Sequence, residues 1–438
     1  MDLTSKFISN YGLHIIAEEI FSNLDWKDLV NCHQVSKIWN HFILNSATLL
    51  RQKIRQVNKL RISKRKRLQK SGHPLFRSRN TASKWEERSE WKIEKKLSVS
   101  QLKIYLKLLQ GYSIYHFANP LRYAINSFKD DFVEMMIHTK SIDFMAPDEE
   151  HNDETRFHQA CEHGSIKIIR LLIENSTKLG ISNTARDGNG NTPFHRACMR
   201  RASKAKLSLF LESADKLSLD VNAINKDGNT PLHLACLRGS YEVINAFLET
   251  NINDIDWNAT NSTKNTPFHY ACKMGVPEVV KVFFHQSAKQ GLDLNIRNSE
   301  GLTPFHISAW REHDKMDIIR MFLEFSKSTN IDLNAQDYGG LTALHHAIKV
   351  WNNKVVKTLV SDPHFNDVNF SLTDNLGRSP LHHACMKGNH RVVRMLLEGL
   401  CYDPSLMNTP DVNGLTPLQI AKEKGCKNVI RQFDIFMK

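Results

Sequence analysis

Thr230-Pro231-Leu232-His233-Leu234-Ala235-Cys236 is the stretch on which the fold turns. The pattern returns as Thr192-Pro193-Phe194-His195, Thr266-Pro267-Phe268-His269 and Thr303-Pro304-Phe305-His306. Weaker copies are Thr155-Arg156-Phe157-His158, Thr342-Ala343-Leu344-His345, Ser379-Pro380-Leu381-His382 and Thr416-Pro417-Leu418-Gln419. Successive first positions lie 37, 38, 36, 37, 39, 37 and 37 residues apart. A degenerate ninth copy, Asn119-Pro120-Leu121-Arg122-Tyr123-Ala124, stands 36 residues before Thr155. A steady period of this size marks stacked supersecondary units rather than one continuous core.

Elementary physics predicts what each unit is. Proline after threonine suits the first turn of a helix, where its missing N–H costs nothing. The threonine hydroxyl in front can cap that turn. Clusters such as Asp227-Gly228-Asn229 and Asn375-Leu376-Gly377 supply turn residues just upstream. An apolar second helix follows, as in Ile168-Ile169-Arg170-Leu171-Leu172 and Val392-Val393-Arg394-Met395-Leu396-Leu397. One such helix pair cannot bury its apolar face, so neighbours must stack.

These residues resemble the ankyrin repeat family. The Thr-Pro-Leu-His-x-Ala signature is followed by a glycine in several copies (Gly164, Gly239, Gly275, Gly388) and by the second helix. Each unit then returns through Asp-x-Asn segments such as Asp220-Val221-Asn222 and Asp293-Leu294-Asn295. The resemblance covers residues 119–438. It implies an all-α solenoid of about eight or nine repeats with short β-hairpin loops. The period exceeds the family's usual length by about four residues. The surplus falls after the second helix, as at Glu174-Asn175-Ser176-Thr177-Lys178-Leu179, and reads as a lengthened helix or an outer loop.

The recurrent histidines (His158, His195, His233, His269, His306, His345, His382) do not read as a metal ladder. Equivalent side chains in stacked helices lie about 10 Å apart, too far for one ion with bonds to nitrogen near 2 Å. A role in tying together the turns between repeats fits them better. Cys161, Cys198, Cys236, Cys272 and Cys385 share one slot after the signature alanine, as small buried apolar residues would. No CxxC pair exists, so neither a disulfide framework nor a zinc site is expected.

Charge is uneven. The chain has 438 residues and a formal net charge of +13. Residues 51–110 hold 19 Lys/Arg against 4 Asp/Glu, whereas residues 111–438 hold 37 of each. Lys64-Arg65-Lys66-Arg67 sits in this basic stretch and reads as a solvated linker or a nuclear import signal. Little aromatic residue is interleaved there, so nucleic-acid binding is not expected. No apolar run is long enough to cross a membrane, and Met1 leads into no secretory signal. The expected location is the cytoplasm, the nucleus or both. Residues 84–110 look helical and would cap the open end of the first repeat, within a basic helical linker spanning 51–118.

Residues 13–43 suggest three short helices with more apolar surface than so short a piece can bury by itself, which implies a partner. Ile16, Ile20 and Leu24 share a face, and Asp25 can cap the next helix. Ile20-Phe21-Ser22-Asn23-Leu24-Asp25, Asp28-Leu29 and Val35-Ser36-Lys37-Ile38-Trp39 resemble an F-box over residues 8–50. The Leu-Pro pair that opens that family's motif is replaced by Gly12-Leu13-His14. The resemblance implies docking on a Skp-type adaptor of a cullin-RING ubiquitin ligase through Leu13, Ile16, Ile20, Phe21, Leu24, Leu29, Val35 and Trp39. The repeats would then hold an unknown target protein.

No phosphate loop, nucleophile elbow or HExxH motif is present, so neither catalysis nor a cofactor is expected. The ankyrin resemblance places target contacts at Arg186, Asn189, Met199, Arg200, Lys226, Leu237 and Arg238. It continues through Ser262, Lys273, Met274, Arg297, Glu300, Trp310, Arg311, Tyr338, Met386 and Lys387. Trp310, Arg311 and Tyr338 form the expected hot spot, since aromatic residues and arginine carry disproportionate binding energy.

Overall fold

A computed structural model describes residues 125, 130–139, 144–145, 147–148, 152–199, 202–249, 254–290, 292–310, 316–361, 368–399 and 404–437. The expected F-box segment and the basic segment 51–118 lie outside the described residues. The chain divides into two compact units. The first takes described residues up to Gly188 with Thr192–Ala197 and Ser213–Leu219. The second takes Asn189–Asn191, Cys198–Glu212 and everything from Asp220 onward.

In the first unit, helix Asp130–Thr139 packs on helix Ile166–Glu174, and helix Arg156–His163 packs on helix Pro193–Ala197. Ile168, Ile169, Leu172 and Ile173 are the buried stripe of the second of these helices. Their spacing is that of one helical face. Two short antiparallel strands, Pro147–Asp148 and Glu154–Thr155, pair with Pro147 opposite Thr155.

In the second unit the helices form two layers. One layer stacks Pro231–Arg238, Pro267–Met274, Pro304–Ala309, Ala343–Lys349, Pro380–Lys387 and Pro417–Glu423 in chain order. The other stacks Lys204–Glu212, Tyr241–Glu249, Pro277–Gln290, Met316–Thr329, Asn353–Ser361, His390–Gly399 and Lys427–Phe436. Helix His390–Gly399 buries Val392, Val393, Leu396 and Leu397. Each such aliphatic side chain contributes about 1.5–3 kcal/mol of transfer free energy. Aromatic rings add shape to this core. Phe268 stacks on Phe283 at 5.0 Å and Phe284 on Phe325 at 4.8 Å, while Phe305 meets Phe322 at 4.9 Å.

The surplus residues of the long period take two forms. After Ile166–Glu174 the chain makes a separate turn of helix, Ser176–Leu179, closed by Gly180 in the left-handed region. At this break the Asn175 side-chain amide donates to the Leu171 carbonyl and so competes with the helix backbone. In Pro277–Gln290 and Met316–Thr329 the second helix instead runs on for 14 residues.

The expected β-hairpin loops need correction. Among the described residues strand pairing is confined to 147–155. Elsewhere the connection is a tight turn. Asn225 N–H bonds the Asn229 carbonyl, and the same bond recurs at Asn261–Asn265, Asn298–Leu302, Asp337–Leu341, Asp374–Arg378 and Asp411–Leu415. The reason is local chemistry. The Asn or Asp side chain at the turn's start accepts the N–H groups two and four residues on, as Asp337 does from Gly339 and Leu341. Few backbone groups are then left for a ladder. One bond still links each turn to the one before, as from Ser262 N–H to the Asp227 carbonyl.

Candidate protein-binding face

The frame of the face is built by the signature histidines. At Thr230 the hydroxyl accepts the His233 N–H, and the Thr230 N–H donates to His233 Nδ1 at 3.1 Å. This is a capping box with histidine in the place of the usual Glu or Gln. The boxes at Thr155, Thr266, Thr342 and Ser379 repeat it. The other ring nitrogen reaches forward. Nε2 of His233, His269 and His306 lies 2.9, 3.0 and 3.0 Å from the carbonyls of Asn265, Leu302 and Leu341. His345 and His382 do the same to Arg378 and Leu415 at 3.2 Å.

This geometry fixes the tautomer. A backbone N–H only donates and a carbonyl only accepts, so Nδ1 must be bare and Nε2 must carry the proton. Burial holds the proton affinity down, to about 4 for His233, His269 and His306 and about 3 for His345. The forward bond to the carbonyl opposes that effect in each. Both ring nitrogens are thus engaged in structure. Among the described residues no group of three or more His, Cys, Asp or Glu side chains could hold a metal ion. Cys161, Cys198, Cys236, Cys272 and Cys385 are buried free thiols, and burial pushes Cys198, Cys236 and Cys385 upward in pKa.

The turns present a second, less regular layer. Five residues before the cap stands Asn225, Asn261 or Asn298, then Asp337 or Asp374 in the next two repeats. Each asparagine donates its amide to an asparagine of the preceding turn: Asn225 to Asn191 at 2.9 Å, Asn261 to Asn229 at 2.8 Å, Asn298 to Asn265 at 3.0 Å. The aspartates cannot donate. They accept instead from an imidazole four residues past the cap, His346 on Asp337 and His383 on Asp374, both at 2.8 Å. Burial lowers the proton affinity of both histidines despite the carboxylates. In the first unit Asp187 meets Arg196 in the same relation, and Glu154 and Glu162 share that guanidinium.

On this frame the expected contact residues distribute unevenly. Arg186, Asn189, Lys226, Arg238, Ser262, Lys273, Met274, Arg297, Glu300, Trp310, Tyr338 and Lys387 are exposed. Met199, Leu237 and Met386 are half-buried. Arg200 and Arg311 lie outside the described residues. So do Lys64 to Arg67 and the eight expected adaptor contacts Leu13, Ile16, Ile20, Phe21, Leu24, Leu29, Val35 and Trp39.

The two described residues of the expected hot spot differ in their surroundings. Tyr338 is 62% exposed, its backbone lying across Gly301, where a Cβ would come within 2.6 Å of the Tyr338 nitrogen. Trp310 keeps 43% of its surface but rests one side of its ring on His346, with centroids 5.6 Å apart. Sequence reasoning missed Lys349, Trp351, Leu376 and Val412, all exposed. A signal existed for two of them: Val412 stands four residues before Thr416, as Tyr338 does before Thr342, and Lys349 stands seven after Thr342, as Lys273 does after Thr266.

No helix among the described residues is long and apolar enough to cross a membrane. No curated protein matches the chain. Among solved structures it is similar to the ankyrin repeat domain of Bcl-3, described as a unique member of the IkappaB protein family. That likeness is 22% identical, covers 56% of this chain and 98% of that one, and has a TM-score of 0.46. The family profile described as ankyrin repeats (three copies) matches residues 121–220, 202–296, 286–371 and 352–433. With that match running through most of its length, the chain belongs to the ankyrin-repeat family.

Proposed function

We infer that the ankyrin-repeat array serves to hold another protein. We propose that this chain is the substrate-recognition subunit of an SCF-type ubiquitin ligase. In this reading residues 8–50 dock on a Skp-type adaptor, residues 51–118 link and cap, and residues 119–438 hold the target. The observation that carries it is the order of motifs in one chain. Leu24-Asp25, Asp28-Leu29 and Val35-Ser36-Lys37-Ile38-Trp39 stand ahead of the repeats. The chain contributes no chemistry of its own. Holding a target lysine near a charged ubiquitin-conjugating enzyme raises its effective concentration, which is a gain of proximity alone.

The test is capture of the full chain by a purified Skp adaptor. Capture is expected from the parent and not from a Leu24→Asp/Trp39→Ala variant. Equal recovery of both, or of neither, removes the ligase reading. A second reading is a scaffold that acts without ubiquitin, in the cytoplasm or, through Lys64-Arg65-Lys66-Arg67, in the nucleus. The absence of Leu-Pro at Gly12-Leu13-His14 favours it. Capture by the adaptor decides between the two.

A further inference from the structure

The first helices of the second unit end in a row of cations. Arg238, Lys273, Lys349, Lys387 and Lys424 occupy the seventh or eighth position after their caps, and all five are exposed. Among the described residues of that unit, Glu423 is the one acid at these positions. Arg238, Lys349, Lys387 and Lys424 make no ion pair among the described residues. The turn carboxylates Asp337 and Asp374 are already occupied by their own turns and by His346 and His383. Residues 111–438 are neutral as a whole, so this face owes its positive charge to segregation.

Apolar groups sit among these cations. Lys349 lies close enough to both His346 and His383 to disfavour their protonation, and the Trp310 ring lies tilted against His346. Two residues beyond Lys349 stands Trp351, 53% exposed, with a φ of 60°. At the matching place Gly239, Gly275, Gly388 and Gly425 take φ between 65° and 76°. A helix dipole accounts for cations at a helix C-terminus. It does not account for a tryptophan held in a backbone conformation that glycine adopts freely and bulky residues avoid.

We propose that the face carrying Trp310, Tyr338, Trp351, Lys349, Lys387 and Lys424 binds an acidic protein segment with interspersed aromatic or aliphatic side chains. The segment's carboxylates meet the lysines and its apolar groups meet the three rings. This names the chemistry of the target and rests on the repeats being its receptor. The rings favour a protein over a nucleic acid, because a phosphate backbone gains nothing from two exposed tryptophans unless bases are splayed onto them.

The test is selection of a random peptide library, displayed on phage, against the folded full chain. Enrichment of acidic sequences containing Trp, Phe or Leu is expected. A Lys349→Glu/Lys387→Glu/Lys424→Glu variant is expected to lose about tenfold or more in affinity for a synthetic peptide of the enriched sequence, corresponding to about 1.4 kcal/mol. Loss of that binding with added salt follows from screening. Trp351→Gly sharpens the test: it is expected to raise stability while weakening the peptide, two shifts that a packing role would not separate. Neutral or basic enrichment overturns the proposal. Acidic enrichment that survives the triple substitution also does so, since residues 51–110 would then be the binder. Equal or tighter binding of a single-stranded oligonucleotide overturns it in favour of a general anion site. The Skp adaptor is absent from this assay, so its failure and that of the ligase reading register separately.

Discussion

Asn225, Asn261 and Asn298 start the turns of three consecutive repeats, and Asp337 and Asp374 start the next two. All five side chains accept the N–H groups that close their own turns. The difference lies in the remaining valence. An amide has donors to spare and extends them to the turn before, giving a chain of Asn–Asn bonds. A carboxylate has none, so that bond is gone and a donor must be brought from elsewhere. The histidines at 346 and 383 bring it, whereas the asparagine repeats carry Leu234, Tyr270 and Ile307 at that place. Asp411 makes the same point a third way: Ile420 offers nothing, and Arg378 of the preceding repeat leans over to it at 3.5 Å. Each carboxylate is thus met by a donor from elsewhere, nine positions on at His346 and His383 and from the preceding repeat at Arg378.

The largest expected effect is shared by both regions and sets the background for the rest. His233, His269, His306 and His345 bind protons far more weakly folded than unfolded, where the ordinary value is near 6.5. Their contribution is therefore complete above that pH and is lost as the pH falls. Each group steepens the loss by up to about 1.4 kcal/mol per pH unit. Urea unfolding between pH 7 and pH 5 is expected to show stability falling by several kcal/mol. A flat profile would mean that the rings are not held in the neutral form.

Next in size is an attempt to convert one region into the other. Asn261→Asp places a carboxylate against the Asn229 side-chain oxygen and removes the donor to Tyr270. A loss of about 2 kcal/mol is expected at pH 7, the cost of a broken buried bond with an unmatched acceptor. Adding Tyr270→His should recover part of it by supplying the donor that Asp337 and Asp374 enjoy. If the double variant is no more stable than the single, the pairing rule is wrong.

The reverse exchange is milder. Asp374→Asn keeps an acceptor for the N–H groups of Leu376 and Arg378, and the His383 imidazole can change tautomer to meet the new amide. About 1 kcal/mol should be lost. The His383 titration, followed by NMR, should move further down, because Asp374 is the group that props it up. An unmoved titration would show that the carboxylate does not act on that ring. Arg378→Leu should cost least, below about 1 kcal/mol and less in high salt, since the pair is partly solvated. A larger loss would promote this contact to the rank of the imidazole pairs.

Much of this was legible in the sequence. Thr, Pro and His at a steady period placed every first helix, and the forward role of the histidines followed from their regular return. The existence of surplus residues was legible too, but not their form. The chain breaks at Asn175 and again at Ser213, whereas helix Pro277–Gln290 runs through, and no shared residue type marks the two breaks. The covariation of Asp with His or Arg nine residues on was present in plain text at Asp187–Arg196, Asp337–His346 and Asp374–His383. It escapes a periodicity search because it joins a turn to a helix. The resting of Trp310 on His346 was not legible at all, since it depends on how two repeats abut.

The imidazole relay gives the stack a direction. Each ring passes its proton-bearing nitrogen to the carbonyl ahead of it, and that carbonyl already holds a backbone partner of its own, as Asn265 holds Asn261. Peeling a repeat from the amino-terminal side leaves its successor's oxygen still satisfied. Peeling from the carboxyl-terminal side takes away the carbonyl and leaves the ring N–H of the preceding repeat without its protein partner. Such an array unzips more cheaply from one end than from the other, and a force or protease applied at each end in turn should find the asymmetry.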